Sequence, residues 1–270
     1  MRKIIFIISL LLSVLLVQAK DIPFKDGEEL KFDVKYKYGL VMVKAGSIKF
    51  TNKNTTHNGR HVYKSSLDLK TNSFFDKIFK VRDSLNSYMN LDLKPVYHIR
   101  QVHEGGTHFQ EELFINKHGS TYTEVRVKRQ NNEEVKFDTL LSTNNAGYDL
   151  LSVLMFARTL DYSSMAPGHT FNLSTYVGKR KINIIVTYDG QSIIEKSETL
   201  KYKALKLSLD IADEVFNESK SAMEMWISDD ENHIPLKLKA KLKIGAAEAD
   251  LTHHKNLKHP FSAEVRIPTR

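Results

Sequence analysis

His103-Glu104-Gly105-Gly106-Thr107-His108 sets two imidazoles five positions apart around a pair of glycines. A helical zinc site needs His at i and i+4, so the spacing is wrong for one, and the glycines favour a turn. With Gly105-Gly106 as the two-residue loop of a hairpin, His103 faces His108 and Glu104 faces Thr107 across the ladder. That arrangement supplies two ligands, short of a metal site, and the plain reading is an exposed polar hairpin tip. No metal or other cofactor is expected. The segment Leu236–Ile244 offers a different chemistry. Lys237, Lys239, Lys241 and Lys243 recur at period two and are the candidate ligand-binding residues, a row of ammonium groups able to meet phosphate-bearing lipid or glycan. The structural reading of the same row is an edge kept soluble by lysine. Asp229-Asp230 and Glu111-Glu112 invite comparison with glycoside hydrolysis, which uses two carboxylates. Adjacent acids on a strand point to opposite faces, however, and Asp229-Asp230 lies where a turn is expected.

The elements that position these residues are strands. Leu30, Phe32, Val34 and Tyr36 alternate with Lys31, Asp33, Lys35 and Lys37, the pattern of a strand with one buried and one wet face. Similar runs occur at 125–137, 182–188, 205–211 and 236–244, with turn signals at Asn58-Gly59, Gly105-Gly106, Asp189-Gly190 and 229–232. The alternation predicts Phe32, Val34, Leu207, Leu209, Leu238 and Leu242 as inward-facing core residues. Leu150, Leu151, Leu154, Met155 and Leu160 fall at helical spacing, which predicts one central helix over 147–162, and Ser73–Val81 is a candidate for a second, short one. Met155 and Ala157 make the central helix too apolar for a surface element. The expected fold class is mainly β: curved antiparallel sheets, an open or partial barrel, with one central helix and a second short one as a candidate.

The chain has 270 residues, 41% hydrophobic and 27% charged, and no Cys, which excludes disulfides, thiolate metal sites and thiol nucleophiles. A nucleotide-binding loop, a dinucleotide fingerprint and a serine-nucleophile elbow are likewise absent from it. Arg2-Lys3, the apolar run Ile4–Val17 and Val17-Gln18-Ala19 read as a cleavable signal peptide over residues 1–19, leaving a single domain over 20–270 in the periplasm or outside the cell. No later apolar run is long enough to cross a membrane as a helix. Removing Arg2 and Lys3 from 40 basic residues against 32 acidic ones leaves an excess of about six. Basicity of that size favours anionic surfaces, and export argues against nucleic acid as the partner.

Phe24-x-x-Gly27-Glu28-x-Leu30-x-Phe32, Ala45-Gly46, Arg82-Asp83-Ser84, Pro95, Glu104-Gly105-Gly106 and Phe137-Asp138 appear in that order. Tyr148-Asp149-Leu150-Leu151-Ser152, Arg158, Pro167-Gly168, Trp226-Ile227-Ser228-Asp229-Asp230, Pro235 and Gly245 follow. The series, from about Phe24 to Leu251, resembles the DUF3108 family of exported bacterial envelope proteins. The resemblance implies an antiparallel β fold and an envelope location, and brings no established activity or catalytic set. Such curved sheets are similar to periplasmic lipoprotein and lipid carriers at the level of fold alone. The functional expectation is a non-enzymatic envelope protein holding an apolar or anionic lipid-like ligand. The alternatives are a hydrolase of envelope polysaccharide and a purely structural or interaction module.

Overall fold

The computed structural model of the chain describes residues 22–118, 122–144, 146–212, 223–242 and 244–267, so the expected signal peptide and Lys243 lie outside the described residues. Eight strands come first: β1 (Glu28–Tyr38), β2 (Val41–His57), β3 (Arg60–Thr71), β4 (Arg82–Met89), β5 (Pro95–Glu104), β6 (Thr107–His118), β7 (Tyr122–Asn131) and β8 (Glu134–Thr143). After β9 (Gly147–Tyr148) comes the helix α1 (Leu150–Arg158). The second run is β10 (Thr170–Val177), β11 (Arg180–Ser197), β12 (Leu200–Ala212), β13 (Met223–Ser228), β14 (Pro235–Lys241), β15 (Ala246–Lys255) and β16 (Glu264–Arg266).

All strands of the described residues belong to one sheet, in the order β8-β7-β6-β5-β4-β3-β2-β1-β15-β14-β13-β12-β11-β10-β9, with β16 added beside β12. The two runs are joined where β1 pairs with β15. The sheet curls until its ends meet. Tyr176 of β10 packs among Leu113, Ile115, Val125 and Val127 of β6 and β7, and Thr143 Oγ1 lies 3.5 Å from Ser174 Oγ. The seam is therefore closed by side chains where a complete barrel would use ladder hydrogen bonds. Curling also brings backbones together: a Cβ on Gly46 would sit 2.2 Å from the Lys70 carbonyl oxygen, so only glycine allows β3 to lie against β2 there.

The period-two reading gives Phe32, Leu207 and Leu209 as buried, with Val34 and Leu238 half-buried against the same core. Other expectations need correcting. β14 ends at Lys241, and Leu242 and Ile244, expected on its apolar face, are exposed in the turn to β15. Asp189-Gly190 forms no turn; it lies within β11 as a bulge, with Gly190 at φ +105°. The run 125–137 is two strands with a turn between β7 and β8. Ser73–Val81 contains a single 3-10 turn, Phe75–Lys77. The central helix is confined to Leu150–Arg158, and Gly147 and Tyr148, expected to be helical, form β9.

Helix α1 occupies the lumen, which accounts for its composition: Leu151, Val153, Met155 and Ala157 are all buried. Leu151 and Met155 pack with Phe32, Leu236 and Leu251, while Val153 and Ala157 pack with Leu205, Leu207 and Ile227. Both ends are tied to polar groups on the sheet. At the N-terminus, Asp149 accepts the amides of Leu151 and Ser152 at 2.9 and 3.1 Å and the Ser87 hydroxyl at 2.6 Å. At the C-terminus, Arg158 and Glu28, both with fully buried side chains, form a two-pronged ion pair at 2.7 and 2.9 Å. The guanidinium also donates to the carbonyls of Pro23 and Asn232.

These anchors share one cross-strand row, Glu28–Asn52–Ser65–Ser87–His98, running over β1 to β5. Asn52 donates to Glu28 at 2.7 Å and accepts from Ser65 at 2.5 Å, so the row is hydrogen-bonded from its Arg158 end inward. The dimensions agree. Nine residues of helix rise about 14 Å, and the three strand spacings from β1 to β4 cover about 14 Å, so α1 crosses the strands with one end over Glu28 and the other over Ser87.

Arg158→Leu is expected to destabilise the fold by about 3–5 kcal/mol, because it leaves the Glu28 carboxylate buried without its cation. Glu28→Gln combined with Arg158→Leu should recover part of that loss. Denaturant titration of the two variants and the wild type checks both statements.

Candidate functional site

The expected hairpin carries its two histidines as drawn from sequence. His103 is opposite His108, with ring centroids 5.1 Å apart, and His103 Nδ1 lies 3.2 Å from the Arg82 carbonyl oxygen. Among the described residues, no group of three or more His, Asp or Glu side chains is placed to hold a metal ion. The acid pairs separate as strand geometry requires. Buried Glu111 pairs with Arg129, and Glu112 accepts from the Tyr97 hydroxyl. Asp230 serves the turn, accepting from the Ser228 hydroxyl and the Asn232 amide at 2.7 and 3.0 Å.

Lys237, Lys239 and Lys241 share the face of β14 that points away from α1, as their spacing predicts. Their neighbours change the electrostatics. Lys237 is opposite Asp250 and Lys239 opposite Glu248 on β15, while Glu224 of β13 is opposite Lys239 on the other side. Lys237 forms an ion pair of 2.9 Å with Glu248. Glu224 is held below the usual carboxylate range chiefly by its hydrogen bond to Lys206, with Lys239 and Lys241 adding to the effect. Lys237 also lines a groove of about 430 Å³ in which Lys35 and Lys196 are balanced by Asp33, Glu195, Glu248 and Asp250. The lysine row is one file of a charge-alternating sheet face. Glu248 and Asp250 recur at period two while Glu224 stands alone in sequence, and only the pairing of β13 and β15 with β14 reveals the neutralisation.

A larger groove, of about 920 Å³, opens at the end of the barrel where β2 turns into β3 and β4 into β5. Its floor is a second cross-strand row, Tyr97–Phe114–Arg126–Leu140, which continues beyond the groove to Tyr88 of β4; the row is displaced by one residue from the lumenal row and therefore on the outer face. His57, from the tip of the β2–β3 hairpin, stacks on Tyr97 at 4.9 Å and 11° and lies 4.8 Å from Tyr88. Arg60, His61, Lys117 and His118 stand around this aromatic floor, with Glu124 as an acidic member. Arg126 is held by a two-pronged bond to Asp138 at 2.7 and 2.5 Å. Burial, together with the hydrogen bond to Glu112, pushes the Tyr97 hydroxyl far above its ordinary range, so Tyr97 presents a neutral ring face. The arrangement offers flat aromatic surfaces and surrounding cations. The sequence reading missed it because its members come from six strands and form no motif; the adjacent aromatics of β4, β5 and β6 gave the only signal.

Ser87, Asp149 and His98 bring the residue types of a nucleophilic relay together, in the wrong connectivity. Ser87 binds Asp149 directly, and His98 Nδ1 lies 3.3 Å from Asp149 Oδ1, off the line of a hydrogen bond. All three are buried, and the Asp149 carboxylate is taken up by the helix cap and by Ser87. Asp149-x-x-Ser152 is a legible capping pattern; Ser87 and His98 carry no such mark. Burial alone pushes the Asp149 carboxyl up, but His98, the Ser87 hydroxyl and the Ser152 amide outweigh it and hold the group below its ordinary range.

A nearly closed antiparallel sheet with a polar-anchored helix in its lumen defines a barrel-like β protein. Residues 31–252 match the DUF3108 family, described as a protein of unknown function, and the chain belongs to that family. Among solved structures it is similar to the crystal structure of a beta-barrel-like protein of domain of unknown function DUF1849 from Brucella abortus. The two share 8% identity at a TM-score of 0.60, over 88% of this chain and 100% of the other, which is a likeness of fold. No curated protein matches the chain. Among the described residues, no helix is long and apolar enough to cross a membrane.

Two outcomes follow from these electrostatics. Because Asp149 is held below its ordinary value in the folded state, its contribution to stability is complete above about pH 4 and is lost as pH falls through the folded-state value. Asp149→Asn should therefore destabilise most at neutral pH, and its gap from the wild type should narrow toward pH 3 in denaturant titrations. On β14, Lys237→Gln deprives nearly buried Glu248 of its partner and should cost about 1 kcal/mol, while Lys239→Gln should stay within about 0.5.

Proposed function

We propose that this is an exported, non-enzymatic envelope protein that binds an acidic saccharide, the sugar portion of an anionic envelope glycan or glycolipid, in the groove over Tyr97. The observation that carries the reading is the combination in one groove of about 920 Å³ of an aromatic floor, His57, Tyr97 and Phe114, with Arg60, Lys117 and two further histidines around it. Sugar rings present flat apolar faces to aromatic side chains, and their carboxylate or phosphate substituents suit Arg and Lys. Lys237 and Lys239 of β14 take no part in this reading, since Glu224, Glu248 and Asp250 already face them. Nor is an apolar ligand carried along the helix, because α1 and its packed side chains occupy that part of the lumen. Hydrolysis is disfavoured because, among the described residues, Glu124 is the one carboxylate in the groove lining, and the acids beside it are engaged, Glu112 with Tyr97 and Asp138 with Arg126.

Calorimetric titration with oligogalacturonate, with a phosphorylated core oligosaccharide of lipopolysaccharide, and with neutral maltotriose tests this. At least one acidic sugar should bind and maltotriose should not. Tyr97→Ala and Arg60→Gln should each weaken binding about tenfold, near 1.4 kcal/mol, and Tyr97→Phe should retain most of it. Equal affinity for the neutral sugar, or binding indifferent to both substitutions, would count against the groove.

A further inference from the structure

The end of the barrel opposite the groove carries an exposed apolar rim. Its most prominent part is the β1–β2 hairpin, where Tyr38, Leu40, Val41, Met42 and Val43 are all exposed and Leu40 is 104% so. A fully exposed Leu at the tip of a two-residue turn is unusual, because such positions ordinarily carry Gly, Asn, Asp or Ser. Leu242 and Ile244, in the turn from β14 to β15, lie beside this hairpin: β1 pairs with β15 through Lys37 and Ala246, and the Tyr36 hydroxyl donates to the Ile244 carbonyl at 3.0 Å. On the other side, the β3–β4 connection presents Phe74, Ile78 and Phe79, and it is fastened to β2 by Asn72, whose side-chain amide donates to the Lys44 carbonyl at 2.6 Å. Three segments distant in sequence thus place ten large apolar side chains along one edge. Lysines accompany them, with Lys37, Lys70, Lys77, Lys80 and Lys241 exposed and Lys44 exposed but paired with Asp33. Of the acids near this edge, Asp76 is engaged by Arg82 and Asp33 by Lys44, while half-buried Glu104, bridged to Val81, adjoins Asp83.

We propose that this rim docks the protein on an anionic lipid bilayer, the tips of the two turns and the 3-10 segment entering the interfacial zone while the lysines meet the headgroups. Charge complementarity selects this occupant. A second copy docked rim to rim would set lysine against lysine, and projecting tips suit a penetrable surface better than a flat protein face. The groove over Tyr97 then faces away from the membrane, although the rim stands as an observation without it.

The absence of Cys from the chain supplies a clean probe. Leu40→Cys labelled with an environment-sensitive dye should shift to the blue on vesicles containing phosphatidylglycerol, while the same dye on Asn58→Cys, at the opposite end, should not. Pure phosphatidylcholine vesicles should give a much smaller shift, and raising the salt from 50 to 500 mM should weaken the binding to anionic vesicles. Lys77→Gln with Lys80→Gln should reduce that binding about tenfold or more at low salt. Both sites are exposed, so these changes leave the core intact. No shift at position 40, equal shifts at 40 and 58, or a shift that tracks protein concentration without vesicles would overturn the proposal, the last in favour of self-association.

Discussion

A guanidinium with no exposed surface can be held only where acceptors meet its N–H groups, and Arg158 imposes that requirement on four separate segments. Glu28 begins β1, Pro23 precedes it, Asn232 belongs to the turn before β14, and Asn52 of β2 orients the Glu28 carboxylate. A nine-residue helix is too short to be stable in water alone. Its order comes from the lumen, and the lumen is shaped by the same ion pair and by the Asp149 cap. The pair need not add much net stability, since burying two charges consumes most of what their attraction supplies. Its clearer effect is on register. Only one placement of α1 along the strands satisfies a cation at one end and a carboxylate at the other.

That constraint explains why the residues behind the family resemblance disclose so little chemistry. Gly27-Glu28, Tyr148-Asp149-x-x-Ser152, Arg158 and the Ser228–Asp230 turn meet at the helix ends or hold the loops that do. Ser228 itself bonds the Ile234 amide and the Asp230 side chain. His233 donates through Nδ1 to the Arg158 carbonyl at 3.0 Å, and burial pushes its pKa down, so the ring stays neutral beside the guanidinium. Asp83 likewise serves the fold by accepting the His103 amide at 2.9 Å. A motif drawn from such residues marks a way of building the barrel and leaves its ligand open.

Strand alternation ties the interior to the exterior. The lumenal row containing Ser87 and His98 and the groove row containing Tyr88 and Tyr97 are successive residues of the same strands, so the polar anchors of the helix set the position of the aromatic floor outside. The groove lies at one end of the barrel and the apolar rim at the other, which lets a single rigid sheet present two surfaces of different chemistry.

By itself the sequence determined the alternating strands at 30–36, 182–188, 205–211 and 236–241, the hairpins at Asn58-Gly59 and Gly105-Gly106, the existence of a central helix and the facing of His103 and His108, because each depends on local periodicity and turn chemistry. It also put the four candidate lysines on one face, which holds for Lys237, Lys239 and Lys241, since alternation decides that without any topology. It could not show what stands beside them. Glu224, Glu248 and Asp250 are distant or unaligned in sequence, and only the pairing of β13 and β15 with β14 turns a basic row into a balanced surface. Asn52, Ser65 and Ser87 sit among strand polar residues that periodicity assigns to water, yet curling of the sheet around α1 buries them as its hydrogen-bonding row. Leu242 and Ile244 erred the other way: an apolar alternation continued past the last paired residue, where no neighbouring strand remained to cover it. Burial of a strand residue depends on what lies across the sheet, and that is fixed by long-range contacts the local pattern does not contain.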